Sequence, residues 1–500
     1  MKRHSLLFAL FVSIFGFALL LSTAGCRKEE FATAADQLLE FSTDTVFFDT
    51  VFTSVGSTTQ RLQVYNRHDK SIRISKIQLN GDSDNQFIIN VNGDNGTSFS
   101  DIEILPNDSM YIFVEVTVDP NSDFTPFIIE DQILFETNGS EQIVQLNAWG
   151  QNAYFHGESD GFQVLTGSNT WNNDLPHVIY GIVALDEGGS LTINEGTQVY
   201  VHSRSGLYIY RSEIHINGTL GNEVVFQGDR LEPAYDDIPG QWGIQLSFQL
   251  EGSSGPEIAS VARGGIWLME STGSTIDYAI LKNGGMGIQV DTTGTNNFAL
   301  EINNTKITNM SGIGLWCQGA YVKGSNVLVS NCGDICGSFS IGGKYQMDNC
   351  TFANYWSNGN RTSPTFLLNN NYEDVNENLI VRPLTQTFFR NCIMYGNNAQ
   401  LNEYSEFVVD LEEEAAQDYQ FHYCLVDTEE DLADGNRYFS MVRNQAPFFC
   451  NAYEGNFNIS ANNSRMFGSF FTNIPTDIAG NSNGEWKGCY DYTPGDEDCN

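Results

Sequence analysis

Basic residues are scarce. Lys and Arg number 24 against 62 Asp and Glu in 500 residues, a formal charge of −38. A surface that holds nucleic acid by its phosphates needs the opposite sign, so that class is excluded. A direct grip on an acidic polymer or an anionic lipid surface is disfavoured for the same reason. Proline is scarce too, at 12 residues. Cysteine is absent from 27 to 316, so no disulfide can join two sheets there. There is no Cys-x-x-Cys pair, no paired-His metal spacing and no Gly-x-x-x-x-Gly-Lys-Ser/Thr phosphate loop. Beyond residue 26 no apolar run is long enough to span a bilayer.

What is abundant points one way. The chain has 47 Gly, 12% aromatic and 41% hydrophobic residues. That is not a disordered composition, and the length allows two or three domains with a large core. Gly, Asn, Thr, Val, Ile and aromatics favour strands and tight turns over long helices.

The N-terminus reads as an address. Lys2 and Arg3 precede an uncharged apolar run at 6–21 and the small residues Ser22-Thr23-Ala24-Gly25-Cys26. Basic, apolar, then small is a secretory signal. It resembles a bacterial lipoprotein signal, with Thr23 where Leu is usual. The resemblance implies loss of 1–25, lipidation of Cys26 as the link to outer-membrane lipid, and a tether over 26–40. Lys28, Glu29 and Glu30 resemble the Lys-acid-acid signal that sends Bacteroidetes lipoproteins to the outer face of the outer membrane. That implies a location facing the cell exterior.

Residues 41–150 read as short alternating strands. Ser71-Ile72-Arg73-Ile74-Ser75-Lys76-Ile77 sets Ile against polar residues, and Asn92-Gly93 and Asn138-Gly139 are hairpin signals. About seven such strands suggest an antiparallel sandwich. The segment resembles the immunoglobulin-like modules of Bacteroidetes surface proteins, which implies a spacer or docking piece.

Residues 151–475 carry a repeat. Asn326-Val327-Leu328-Val329-Ser330-Asn331 matches Asn349-Cys350-Thr351-Phe352-Ala353-Asn354, and similar blocks place Leu281, Ile307, Val329, Phe352, Met394 and Val426 at one position. The period is about 22 residues, with longer steps read as loop insertions near 228–240, 356–387 and 397–419. One such coil cannot bury its inner face alone, so coils stack and share a core. The stretch resembles right-handed parallel β-helix proteins of the pectate-lyase-like superfamily. The fold expected is therefore all-β: an N-terminal immunoglobulin-like β-sandwich, then a right-handed parallel β-helix, with 476–500 a C-terminal cap or tail over the last coil.

The ten cysteines follow from this frame. Cys350, Cys392 and Cys424 share one register position and read as stacked core thiols. Cys332 with Cys336, and Cys489 with Cys499, are possible disulfides in an oxidising compartment.

Chemistry is harder to find. Gly157-Glu158-Ser159-Asp160-Gly161 has the pattern of a nucleophile elbow but not its strand-turn-helix setting. The resemblance brings two catalytic templates: a basic residue with calcium-binding acids, or paired carboxylates. Neither maps onto this chain, where Arg263, Lys282, Lys306 and Lys323 are dispersed. The acidic loop holding Asp229, Asp236 and Asp237, followed by Trp242, is the candidate site for a sugar or for calcium. The expected function is a non-catalytic surface binder of glycan or protein. A polysaccharide lyase or glycosidase, and an inert stalk, are the alternatives.

Overall fold

The computed structural model describes residues 30–53, 56–81, 86–120, 126–249, 258–374, 376–397, 405–460, 466, 470, 472–482, 486–492 and 499. The chain divides into two compact units, Met1–Gln151 and Asn152–Asn500. Among the described residues no helix is long and apolar enough to cross a membrane.

The first unit is a β-sandwich of two five-stranded sheets over one core. Both Asn-Gly pairs turn hairpins: Asn92 and Gly93, and Asn138 and Gly139, all have positive φ, as a type I′ turn requires. Ile72 and Ile74 are buried, but Ile77 is three residues on and should point outward. A bulge between Ile74 and Lys76 inserts one residue and returns Ile77 to the core. The sandwich is not wholly antiparallel. Thr45–Phe52 pairs parallel with Ser140–Gln151, because the chain enters that sheet beside its last strand without a hairpin.

The second unit is a parallel β-helix: among the described residues, a 27-stranded sheet in which strands of successive coils pair in register. Leu281 pairs with Ile307, Ile307 with Val329, Val329 with Phe352, Phe352 with Met394, and Met394 with Val426. The repeat anchors thus occupy one stacked row, all fully buried. Cys350, Cys392 and Cys424 are buried free thiols in the row beside them.

Three expectations need correction. Residues 356–387 and 397–419 are not simply insertions. Phe366–Asn369, Leu384–Arg390, Phe407–Asp410 and Gln417–His422 are coil strands, with Asn371–Glu373 and Leu379–Val381 a small hairpin beside them. Their inward residues are Phe366, Phe389, Phe407 and Phe421, whose rings stack through the core. The disulfide joins Cys450 to Cys499; Cys489 is buried and free, with its backbone N–H held by Thr351. Cys332 and Cys336 are also free: both are buried thiols of the β-helix core that share a hydrogen bond instead of a covalent bond.

The C-terminal segment is placed differently from a cap. Its described part runs back along one side of the coils. Outward-facing Leu328 and Ala353 are buried under Ala452, Phe457 and Ile478, and outward-facing Ile393 and Leu425 under Ile459, Met466 and Trp486. Each Leu, Ile, Phe or Met among them contributes about 1.5–3 kcal/mol by leaving water. Asn326, Asn349 and Asn391 donate to the carbonyls of Thr476, Trp486 and Phe470, which fixes the segment along the bends.

Candidate functional site

The strip of strands Ala279–Lys282, Lys306–Thr308 and Leu328–Ser330 ends in a second row of bends, Asn283, Asn309 and Asn331. All three have positive φ, between 54° and 64°. Asn tolerates that region better than most residues and can use its amide across the stack. Here the amides do two jobs. Asn309 Nδ2 donates to Asn283 Oδ1 (2.7 Å), joining adjacent coils. Asn283 Nδ2 and Asn309 Nδ2 also donate to the main-chain carbonyls of Asp236 (2.6 Å) and Asp237 (2.9 Å), pinning the acidic loop over the strip.

The result is a groove. Outward-facing Lys282, Thr308 and Ser330 form its floor, Asp236 and Asp237 one rim, and Trp356, Tyr453 and Glu454 the far wall, around a volume of about 490 Å³. An adjoining hollow of about 290 Å³ shares Asp236, Lys282 and Asn283 and extends to Gln227 and Arg230. Gln227, Lys282, Thr308 and Ser330 lie on successive coils, so the floor runs about 14 Å at the usual strand spacing. Arg230 is engaged by Glu232 (3.1 Å) and lies over the Tyr235 ring. Lys282 makes no ion pair among the described residues. Tyr355 and Tyr453 meet at 5.3 Å between ring centroids, and Tyr355 N–H donates to Asn331. Burial pushes the Tyr355 hydroxyl well above its ordinary value.

Each expected site residue has a place. Cys26, Lys28 and Glu29 lie outside the described residues. Glu30 is exposed and pairs with Lys70 (3.0 Å). Asp229 is not on the groove rim; it accepts from His202 (2.6 Å), whose ring stacks on Tyr180. Burial, then the Asp229 charge, raises the Tyr180 hydroxyl. Asp236 and Asp237 are exposed on the rim. Trp242 is a correction. It is 2% exposed and packs with Phe226 in the β-helix core, its indole N–H donating to the Lys282 carbonyl. It holds the loop's base and cannot stack on a ligand. Among the described residues no group of three or more His, Cys, Asp or Glu gathers as metal ligands. The segment 157–161 lies within the strand Tyr154–Leu165, without a turn into a helix. Lys323 is paired with Glu301, and Lys306 sits by the Tyr490 ring, so neither joins Lys282.

Trp356, Tyr453 and Glu454 were missed by the sequence reading. They reach the groove from a late coil and from the C-terminal segment, and no local pattern links them to Lys282.

No family model matches the chain, and no curated protein matches it. Among solved structures, the ASH/PapD-like domain of human CEP192 is matched at 8% identity and a TM-score of 0.17, over 26% of this chain and 94% of that one. A family 123 glycoside hydrolase from Clostridium perfringens is matched at 8% identity and a TM-score of 0.17, over 25% of this chain and 26% of that one. Both likenesses are too slight to carry an assignment.

Proposed function

We propose that this protein is a glycan-binding surface lipoprotein of Bacteroidetes type. On this reading Cys26 carries the lipid, Lys28, Glu29 and Glu30 direct export, and the sandwich is an immunoglobulin-like spacer. The β-helix then presents the groove outward. The observation that carries the binding reading is the groove's composition. Trp356 and Tyr453 offer ring faces to the apolar side of a sugar, while Asn331, Thr308 and Lys282 offer donors and acceptors for its hydroxyls. A binder is preferred to a polyuronate lyase, because Lys282 stands among Asp236, Asp237 and Glu454 instead of with other cations.

A glycan array run with and without calcium, with product analysis on each hit, tests this. The expected result is binding without turnover, weakened at least about tenfold by Trp356→Ala with Tyr453→Ala. Turnover, or equal binding by the double variant, overturns the groove assignment. The anchor is tested separately: Cys26→Ser should lose palmitate labelling and leave the membrane fraction.

A further inference from the structure

We propose that the groove reads the end of a linear, uncharged glycan instead of its interior. The inference rests on the glycan-binding reading and adds which part of the ligand is held.

The floor stops within the molecule. Its row of outward residues runs Tyr200, Gln227, Lys282, Thr308, Ser330 and then Ala353. Tyr200 is partly exposed, whereas Ala353 is fully buried beneath Ala452 and Phe457. A chain lying along the floor therefore meets a wall where the C-terminal segment crosses, at Tyr355 and Tyr453. A ligand entering from the Gln227 side has to terminate there.

The blind end holds an unanswered group. Ser330 lines it, is 1% exposed, and its Oγ is buried without a hydrogen-bond partner. Folded proteins seldom leave a buried hydroxyl unpaired, and a terminal sugar hydroxyl that reaches Ser330 as the side chains covering it give way supplies the missing partner. Charge selects the ligand class. Asp236, Asp237 and Glu454 outnumber Lys282 around the groove, in a chain of formal charge −38. That field repels uronates and admits neutral sugars.

The full chain is titrated by calorimetry with linear xylo-, cello-, manno- and malto-hexaoses, with their long polymers, and with polygalacturonate. The expected result is that a neutral series binds with one protein per chain end, whatever the chain length. Ser330→Ala should weaken that binding about 5- to 30-fold while the melting temperature holds or rises, since an unpaired hydroxyl is removed. Ser330→Thr, which fills the blind end, should weaken it similarly. Several proteins along one long polymer, tighter binding of polygalacturonate, or unchanged affinity in both Ser330 variants would each overturn the chain-end inference and leave the glycan reading standing. Silence across these probes also overturns the inference. Silence across the wider array overturns the glycan reading with it.

Discussion

Asn309 Nδ2 lies 2.7 Å from Asn283 Oδ1 and 2.9 Å from the Asp237 carbonyl oxygen, so one bend amide joins two coils and anchors the acidic loop. The scaffold and the rim of the groove share that side chain. Asn309→Gly keeps the positive φ available and removes both bonds. The expected outcome is a loss of about 1–3 kcal/mol and faster amide exchange confined to the segment around 229–241. Exchange at 229–241 indistinguishable from the unaltered protein would show that the loop is held by other means.

Trp242 gives a contrasting result. Its ring fills the core against Phe226, and a side chain at Gly265 would press on it. Trp242→Ala should cost about 3–5 kcal/mol. A sugar-stacking tryptophan would instead lose affinity with little change in stability, so melting temperature and affinity measured together separate the two roles.

Arg361 and Glu406 form a buried bidentate pair, at 2.8 and 2.9 Å, and Thr365 adds its N–H and hydroxyl to the carboxylate. Breaking it leaves a charge stranded. Glu406→Ala should lower stability by about 3–5 kcal/mol, and replacing both with apolar residues of similar volume should cost much less. Urea midpoints of the single and double variants check this; equal losses would contradict it.

The residues that were legible are those whose partner lies one coil away. Leu281 through Val426 could be aligned because each inward residue must stack on its equivalent, and Asn at the bends marks the frame. The coils at 356–422 hid because bulky Phe366 and Phe407 replaced the small or aliphatic anchors and a hairpin broke the spacing. The step from Phe226 to Leu281 showed its acidic loop but hid the hairpin Gln245–Gln249 with Ile258–Ala262. The C-terminal segment was illegible for a different reason. Outward Leu328, Ile393 and Leu425 look like core residues in sequence, and only their alternation with Val329, Met394 and Val426 shows that a second layer must cover them. The groove followed the same rule: its acidic rim was visible as a loop, but its aromatic wall came from that second layer.

The cysteines make a chemical test. Cys450 should be recovered linked to Cys499 by non-reduced peptide mapping, a bridge over 49 residues that stabilises the C-terminal segment by about 2–4 kcal/mol. Cys317, Cys392, Cys424 and Cys489 are buried, and burial pushes their thiols up, Cys489 to about 12. At pH 8 they remain thiols behind packed walls, so a maleimide should label them only after denaturation. Rapid native labelling of Cys392 or Cys424 would contradict the inward register.

His156 and His177 share a 2.8 Å hydrogen bond and both stack on Trp171 at the first coils. Burial, then the neighbouring His177, lowers His156 from 6.5 to about 3, and burial lowers His177 as well. The unfolded chain keeps the higher value, so it binds more protons than the folded chain between those limits. Stability from this pair is therefore complete above about pH 6.5 and is lost as the pH falls toward 3. At pH 5 the loss through His156 amounts to about 1–2 kcal/mol, since the ring is partly exposed. The many carboxylates impose their own pH dependence on the whole chain, so the informative quantity is a difference. His156→Gln keeps a hydrogen-bonding side chain and removes the titration; its melting temperature should fall less between pH 7.5 and pH 5 than that of the unaltered protein. Parallel curves would mean that the pair is already solvated and carries a proton in the folded state.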